Sequence, residues 1–249
     1  MFKKVLIISD NDFLCRKFHE IIQEGNFKNT NFTFSISPCS KIEDFYISKE
    51  KDLFVYNLKK TDDVDFIIQN FDLVFSIHCK QIFPVTLVNG IRCINIHPGY
   101  NPMTRGWYPQ VFSIIYDLPA GTTIHEIDIK LDHGKIIARG TVEKENFDTS
   151  ETLYKKILNK EIALLGQNLK SIINNAYETI DPESDGNLFL KKDFKNLLEL
   201  DLREKTTVGA FIKKLRALTH GDFKNAFFID PKTKKKIYVS LNLQIEDDE

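Results

Sequence analysis

No Cys-x-x-Cys pair occurs in these 249 residues: Cys15, Cys39, Cys79 and Cys93 are scattered. That spacing supports neither a zinc knuckle nor a redox motif, and reduced thiols of a cytoplasmic protein are the expectation. A Gly-x-Gly-x-x-Gly turn is missing as well, which argues against a nicotinamide or flavin dinucleotide. No stretch approaches the ~18 apolar residues of a membrane span. The apolar run at the N-terminus stops at Ile8, too short for a signal-peptide core. Neither sign of charge dominates, with 34 Lys and Arg against 35 Asp and Glu. A net charge of −1 makes no electrostatic case for nucleic acid. Internal repeats and low-complexity tracts are also lacking.

What is present alternates. Phe2 to Ile8 has the β-branched, apolar character of a buried parallel strand, and Ser9, Asp10 and Asn11 offer helix caps. Phe13, Leu14, Phe18, Ile21 and Ile22 then recur at helical spacing up to Glu24. Thr33 to Ser37, Leu53 to Asn57 and Leu73 to Ile77 read as strands, Asp62 to Asn70 as a helix, and Pro84 to Gly90 as a helical turn. The strand Arg92 to His97 follows, then a helix from Tyr108 to Tyr116. Strands at Gly121 to Lys130 and Lys135 to Glu143 precede the longest helix, Ser150 to Ala176. This pattern predicts an α/β fold, Rossmann-like, with a mostly parallel sheet and helices on both faces.

Asp181 to Asn187 is a polar turn cluster and the best domain boundary, separating a domain of residues 1–180 from an extension of residues 187–249. The extension reads as helices at Lys192 to Leu198 and Val208 to Leu218, then a β-hairpin. Lys232 to Lys236 form its solvated turn. Its second strand carries Ile237, Val239, Leu241, Leu243 and Ile245 at period two. A two-stranded ribbon cannot bury such a face by itself, so it packs on its own domain or on a second subunit.

The stretch Ile94 to Gln110 passes from strand to polar loop. Alternation puts Asn95 and His97 on one face, at the carboxyl end of a strand, where open α/β sheets bind ligands. Lys80 follows another strand end and is a candidate for a pyrophosphate in the same crevice. Asp132 falls on a turn between two apolar runs. In order, the chain reads Asn95-Ile96-His97, Arg105-Gly106-Trp107-Tyr108-Pro109 and Leu131-Asp132-His133-Gly134. This order resembles the folate-dependent formyltransferases. Gly99-Tyr100-Asn101-Pro102 and Trp107-Tyr108-Pro109-Gln110 resemble the branch that N-formylates amino sugars carried on dTDP. Many other formyltransferases have a Ser-Leu-Leu-Pro-type run where this chain has Gly99 to Pro102.

The resemblance implies 10-formyltetrahydrofolate as formyl donor and a dTDP-linked 4-amino or 3-amino dideoxyhexose as acceptor, in surface polysaccharide biosynthesis. It implies Asn95 as donor to the formyl oxygen, His97 as general base and Asp132 as its orienting carboxylate, with no metal required. Lys80, Tyr100, Arg105, Trp107, His220 and Lys224 are the expected substrate contacts. It also implies a homodimer through the hairpin. Methionyl-tRNA formyltransferase, a formyltetrahydrofolate hydrolase and a non-enzymatic nucleotide-sugar binding protein are the alternatives; the near-neutral charge counts against the first.

Overall fold

The computed structural model of the chain describes residues 1–246. The last three residues of the expected extension, 247–249, lie outside the described residues. β1 (Lys4–Ser9), α1 (Asp12–Gly25), β2 (Asn31–Ile36), β3 (Leu53–Val55), α2 (Thr61–Asn70), β4 (Leu73–Ile77), α3 (Val85–Gly90) and β5 (Arg92–His97) form the first half. β6 (Arg105–Gly106), α4 (Pro109–Ile115), β7 (Ala120–Glu126), β8 (Ile136–Val142) and α5 (Ser150–Ile173) follow. β9 (Leu188–Phe189), α6 (Lys191–Leu197), α7 (Val208–Leu218), β10 (Phe227–Ile229) and β11 (Lys236–Tyr238) complete the order.

The main sheet runs β3-β2-β1-β4-β5-β7-β8. Its first five strands are parallel, and β7 and β8 are antiparallel to their neighbours. The chain leaves β1 toward β2 and returns on the other side as β4, so the switch point of the sheet lies between β1 and β4. Period two sorts the core. Val5, Ile7, Ile94 and Ile96 pack with residues of α1 and α5, whereas Leu6, Ile8 and Cys93 pack with residues of α2 and α3. Both faces of β1 are therefore covered, which is why its sequence is a continuous apolar run.

Caps set the helices where the sequence offers them. Asn11 Oδ1 accepts the Leu14 N–H at the start of α1, and Thr149 and Thr152 exchange side-chain and backbone hydrogen bonds at the start of α5. The extension shares a core with the sheet domain: Val111, Ile114, Leu153 and Ile157 pack with Leu200, Leu215, Leu218 and Ala226.

Three expectations change. The turn around Asp132 is a loop of residues 127–135, because β7 stops at Glu126 and β8 starts at Ile136. Ile129, read as a strand residue, is exposed there. The last hairpin strand is only Lys236–Tyr238. Beyond it Val239 and Leu241 pack on the chain's own core while Ile237, Leu243 and Ile245 stay exposed. Finally, the long helix read to Ala176 ends at Ile173; β6 pairs with β9 in parallel, which sets the start of the extension against the loop after β5.

Candidate active site

β5 delivers Asn95 and His97 to the face opposite Ile94 and Ile96, and β7 lies antiparallel beside it. The register pairs Asn95 with His125 and His97 with Thr123, so four polar side chains line one face of two adjacent strands. Thr123 Oγ1 donates to the carbonyl of Gly99 and accepts the Asn101 N–H, which anchors the loop that leaves β5.

His97 is buried. Its Nε2 lies 3.0 Å from the carbonyl oxygen of Thr104, a group that can only accept, so Nε2 carries the hydrogen. In the neutral ring the lone pair is then at Nδ1, 3.6 Å from Asp132 Oδ2. That separation is too long for a hydrogen bond, so the Thr104 carbonyl, rather than the carboxylate, fixes the imidazole at rest. The approach depends on Gly99: a Cβ there would lie 2.3 Å from the Thr104 oxygen and 2.5 Å from His97 Nε2. Gly99 is therefore a packing requirement of this loop.

Asp132 has φ +47°, in the left-handed region that aspartate tolerates. Its Oδ1 accepts from Asn95 Nδ2 at 3.0 Å and its Oδ2 from the Gly106 N–H at 3.0 Å, while its own carbonyl accepts from Asn101 Nδ2. Gly106, at φ +89°, passes so close to Phe189 that a Cβ would sit 2.1 Å from its carbonyl oxygen. The β6–β9 pair thus holds the backbone donor that seats Asp132.

The other predicted contacts are dispersed. Arg105 is buried; one terminal nitrogen donates to the Asp185 carbonyl at 2.6 Å and its Nε has no partner among the described residues. Tyr100 lies under the Arg139 guanidinium, 4.9 Å from ring centre to carbon, and Arg139 pairs with Glu183 of the polar turn cluster. Trp107 carries the Lys191 ammonium 3.8 Å over its ring. Lys80 is exposed at the switch point, its N–H donated to Asp10 Oδ2, whose other oxygen accepts from Ser37. His220 meets Ser150 Oγ at 3.1 Å and lies beside Tyr154; burial lowers its pKa. Tyr154 is joined in turn to Nδ1 of His78, at the end of β4, so His220 belongs to the switch-point crevice. Lys224 stands over Tyr238 on the hairpin.

Sequence reasoning passed over His125 and Glu161 and read His78 as structural. The His78 imidazole lies 3.0 Å from both carboxylate oxygens of the buried Glu161 on α5. A strand alternation through Ile124 and Glu126 signals that His125 shares a face with Thr123, but only the β5–β7 register sets it against Asn95.

An amide, an imidazole and a carboxylate held at the carboxyl end of a parallel strand equip the fold for attack on a carbonyl carbon: a donor for oxygen, a lone pair for a proton, and a counter-charge. The class is a group-transferring α/β enzyme. The chain belongs to the formyl transferase family, whose profile matches residues 46–169. The N-formyltransferase dimerization C-terminal domain matches residues 193–245. The chain is 48% identical over 180 residues to the dTDP-4-amino-4,6-dideoxyglucose formyltransferase of Mycobacterium tuberculosis, covering 72% of this chain and 76% of that protein. It superposes on the crystal structure of a 4-N formyltransferase from Francisella tularensis with TM-score 0.92 and 39% identity, covering 98% of this chain and 99% of the other. The same fold recurs at 20% identity in an N-formyltransferase from Helicobacter canadensis in complex with folinic acid and dTDP-3-aminofucose, with TM-score 0.71 over 100% of this chain and 94% of that one.

Proposed function

We propose that the protein moves the formyl group of 10-formyltetrahydrofolate to the amino group of a dTDP-4-amino-4,6-dideoxyhexose. The observation that carries the acceptor is the 48% identity to an enzyme named for that sugar, extending over the loop after β5. The carbon-4 amine is favoured over carbon 3 because the relatives named for position 4 are 39–48% identical, against 20% for the protein bound to the 3-amino sugar. Family membership supports a formyl donor of the folate type, and the folinic acid in the Helicobacter canadensis protein is in keeping with it.

In this reading the acceptor amine attacks the formyl carbon, whose oxygen becomes an oxyanion. Asn95 Nδ2 donates to that oxygen. His97 Nδ1 takes the proton from the attacking nitrogen; the imidazolium then faces Asp132 Oδ2 and keeps its Nε2–H on the Thr104 carbonyl. Collapse of the adduct breaks the bond from carbon to the donor nitrogen, which receives a proton from the imidazolium. Tetrahydrofolate and the formamido sugar leave.

Residues 1–180 supply this centre, and residues 187–249 serve dimerisation and nucleotide contact. Lys80 and His220, both at the switch-point crevice, are the diphosphate contacts, with Lys224 as a further cation on the extension. Tyr100, Arg105 and Trp107 border the sugar side from the loop after β5. Arg105 Nε, without a partner among the described residues, is a donor in reserve there. Ile237, Tyr238 and Ile245, exposed on the extension, are the apolar surface that a second copy covers.

The test is formyl transfer, followed by tetrahydrofolate release, with 10-formyltetrahydrofolate and a panel of dTDP-3-amino and dTDP-4-amino dideoxyhexoses. Turnover of a 4-amino sugar alone is expected. Turnover of a 3-amino sugar would reverse the regiochemistry, and formate release with no sugar consumed would make the protein a hydrolase.

A further inference from the structure

Asn95 has a side chain whose terminal torsion is broad and two-fold, so packing alone does not say which way its amide faces. Two acceptors settle it. One amide hydrogen goes to Asp132 Oδ1 at 3.0 Å and the other points to His125 Nε2 at 3.3 Å. His125 is an acceptor at Nε2 because its other nitrogen, Nδ1, lies 2.8 Å from the Glu126 carbonyl and must carry the hydrogen. Only 1% of the residue is exposed, and its ring meets that of His97 edge-on at 6.4 Å. Burial, opposed by the Asp132 charge, brings its pKa down to about 4, which keeps the ring neutral and the Nε2 lone pair in place.

We propose that His125 is a positioning residue for formyl transfer: its Nε2 holds the second amide hydrogen of Asn95 toward the site until the formyl oxygen takes it. A flipped amide would set Oδ1 against both the Asp132 carboxylate and the Nε2 lone pair, so the two acceptors exclude it together. Asp132 holds its hydrogen at 3.0 Å; the imidazole, at 3.3 Å, holds the longer and weaker bond. When negative charge develops on the formyl oxygen, that hydrogen is the one more easily surrendered, since a charged acceptor outbids a neutral nitrogen. The strand register makes the arrangement obligatory. His125 is the direct cross-strand partner of Asn95, and the irregularity in the β7–β8 ladder between Ile124 and His125 falls at this residue.

The inference rests on the formyl-transfer reading, and kinetics separates the two. Wild type, His125→Phe and His125→Gln are assayed with the 4-amino sugar, and each is checked for folding by thermal melting and for nucleotide-sugar affinity by calorimetry. Phenylalanine fills the buried space and removes the acceptor; glutamine places Oε1 near the position of Nε2 and restores it. Expected is a fall in kcat of about 10- to 100-fold for the phenylalanine variant, with KM for the nucleotide sugar within about twofold of wild type. The glutamine variant is expected to recover about tenfold of that loss. A packing role predicts the reverse order, since an apolar ring suits a buried site better than an amide. Equal kcat in all three proteins, or a phenylalanine variant faster than the glutamine one, overturns the proposal while leaving formyl transfer intact. A wild type that transfers no formyl group overturns the functional reading and this proposal with it.

Discussion

Directed contacts fix both side chains, one for the His97 imidazole and two for the Asn95 amide. His97 gives Nε2–H to the Thr104 carbonyl and keeps Nδ1 for a proton; Asn95 gives both amide hydrogens to acceptors and keeps the amide in one orientation. Replacing either by alanine removes chemistry without touching the crevice at the ends of β1 and β4. His97→Ala and Asn95→Ala are each expected to cut turnover by at least ~10²-fold with dTDP affinity nearly unchanged. Stopped assays beside calorimetry check this, and near-wild-type rates in both would remove the assignment. His125 also gives stability a pH dependence. Its pKa is about 4 when folded against an ordinary 6.5, so between these values the unfolded chain binds the extra proton. The contribution is complete above about pH 6.5 and is lost as pH falls toward 4. About 2 kcal/mol should go between pH 7 and pH 5. Urea midpoints at the two pH values should therefore fall further in wild type than in His125→Gln; parallel losses would contradict a neutral buried imidazole.

Among the elements, α7 is tied down by one side chain. Arg216 is buried near its C-terminal end, with Nε donated to the Asp148 carbonyl at 2.9 Å and a terminal nitrogen to the Glu145 carbonyl at 2.6 Å. Asp148 is itself buried and caps the turn before α5, accepting from the Glu145 N–H and pairing with Lys156 at 2.7 Å. One guanidinium thus joins the extension to the segment between β8 and α5. Arg216→Met keeps most of the apolar stem and leaves two carbonyls short of a donor, so a loss of about 3 kcal/mol is expected. Urea unfolding with an unchanged m-value would read it as stability; no shift in midpoint would show that the apolar contacts of Leu215 and Leu218 suffice. The Glu161–His78 pair links α5 to the end of β4 in a similar way, a carboxylate 1% exposed meeting an imidazole just beyond the strand.

For the whole molecule, the extension packs on the sheet domain and leaves apolar side chains of its own exposed. Val239 and Leu241 belong to the shared core, whereas Ile237, Tyr238 and Ile245 face solvent, and Val208 and Phe223 are more exposed still. A second copy would bury that surface. Sedimentation velocity should therefore give a species of about twice the 28.9 kDa chain mass. Ile237→Asp combined with Tyr238→Asp should shift it to monomer; a double variant that remains a dimer would move the interface off the hairpin.

Local chemistry determined much of this protein. Continuous apolar runs in β1 and β4 read as strands covered on both faces, Asn11 was among the residues offered as caps, and period two put Asn95 and His97 on one face of β5. The motifs around Asn95, His97 and Asp132 pointed to the class of reaction through their resemblance to a known family, and amide, imidazole and carboxylate are groups that acyl transfer can use. What depended on contacts between segments distant in the chain could not be read this way. Asp10 joins the ends of β1, β2 and β4, Asp185 and Phe189 reach back to Arg105 and Gly106, and His125 lies beside Asn95 through a strand register alone. Two-residue strands such as β6 and β9 leave no periodicity, so their pairing was not legible in the sequence. The sequence by itself determined most of the strands and helices, because these follow from side-chain chemistry at short range. Only the tertiary structure decided the tautomer of His97, the facing of the Asn95 amide and the seat of Asp132, because each is set by an acceptor or donor brought from elsewhere in the fold.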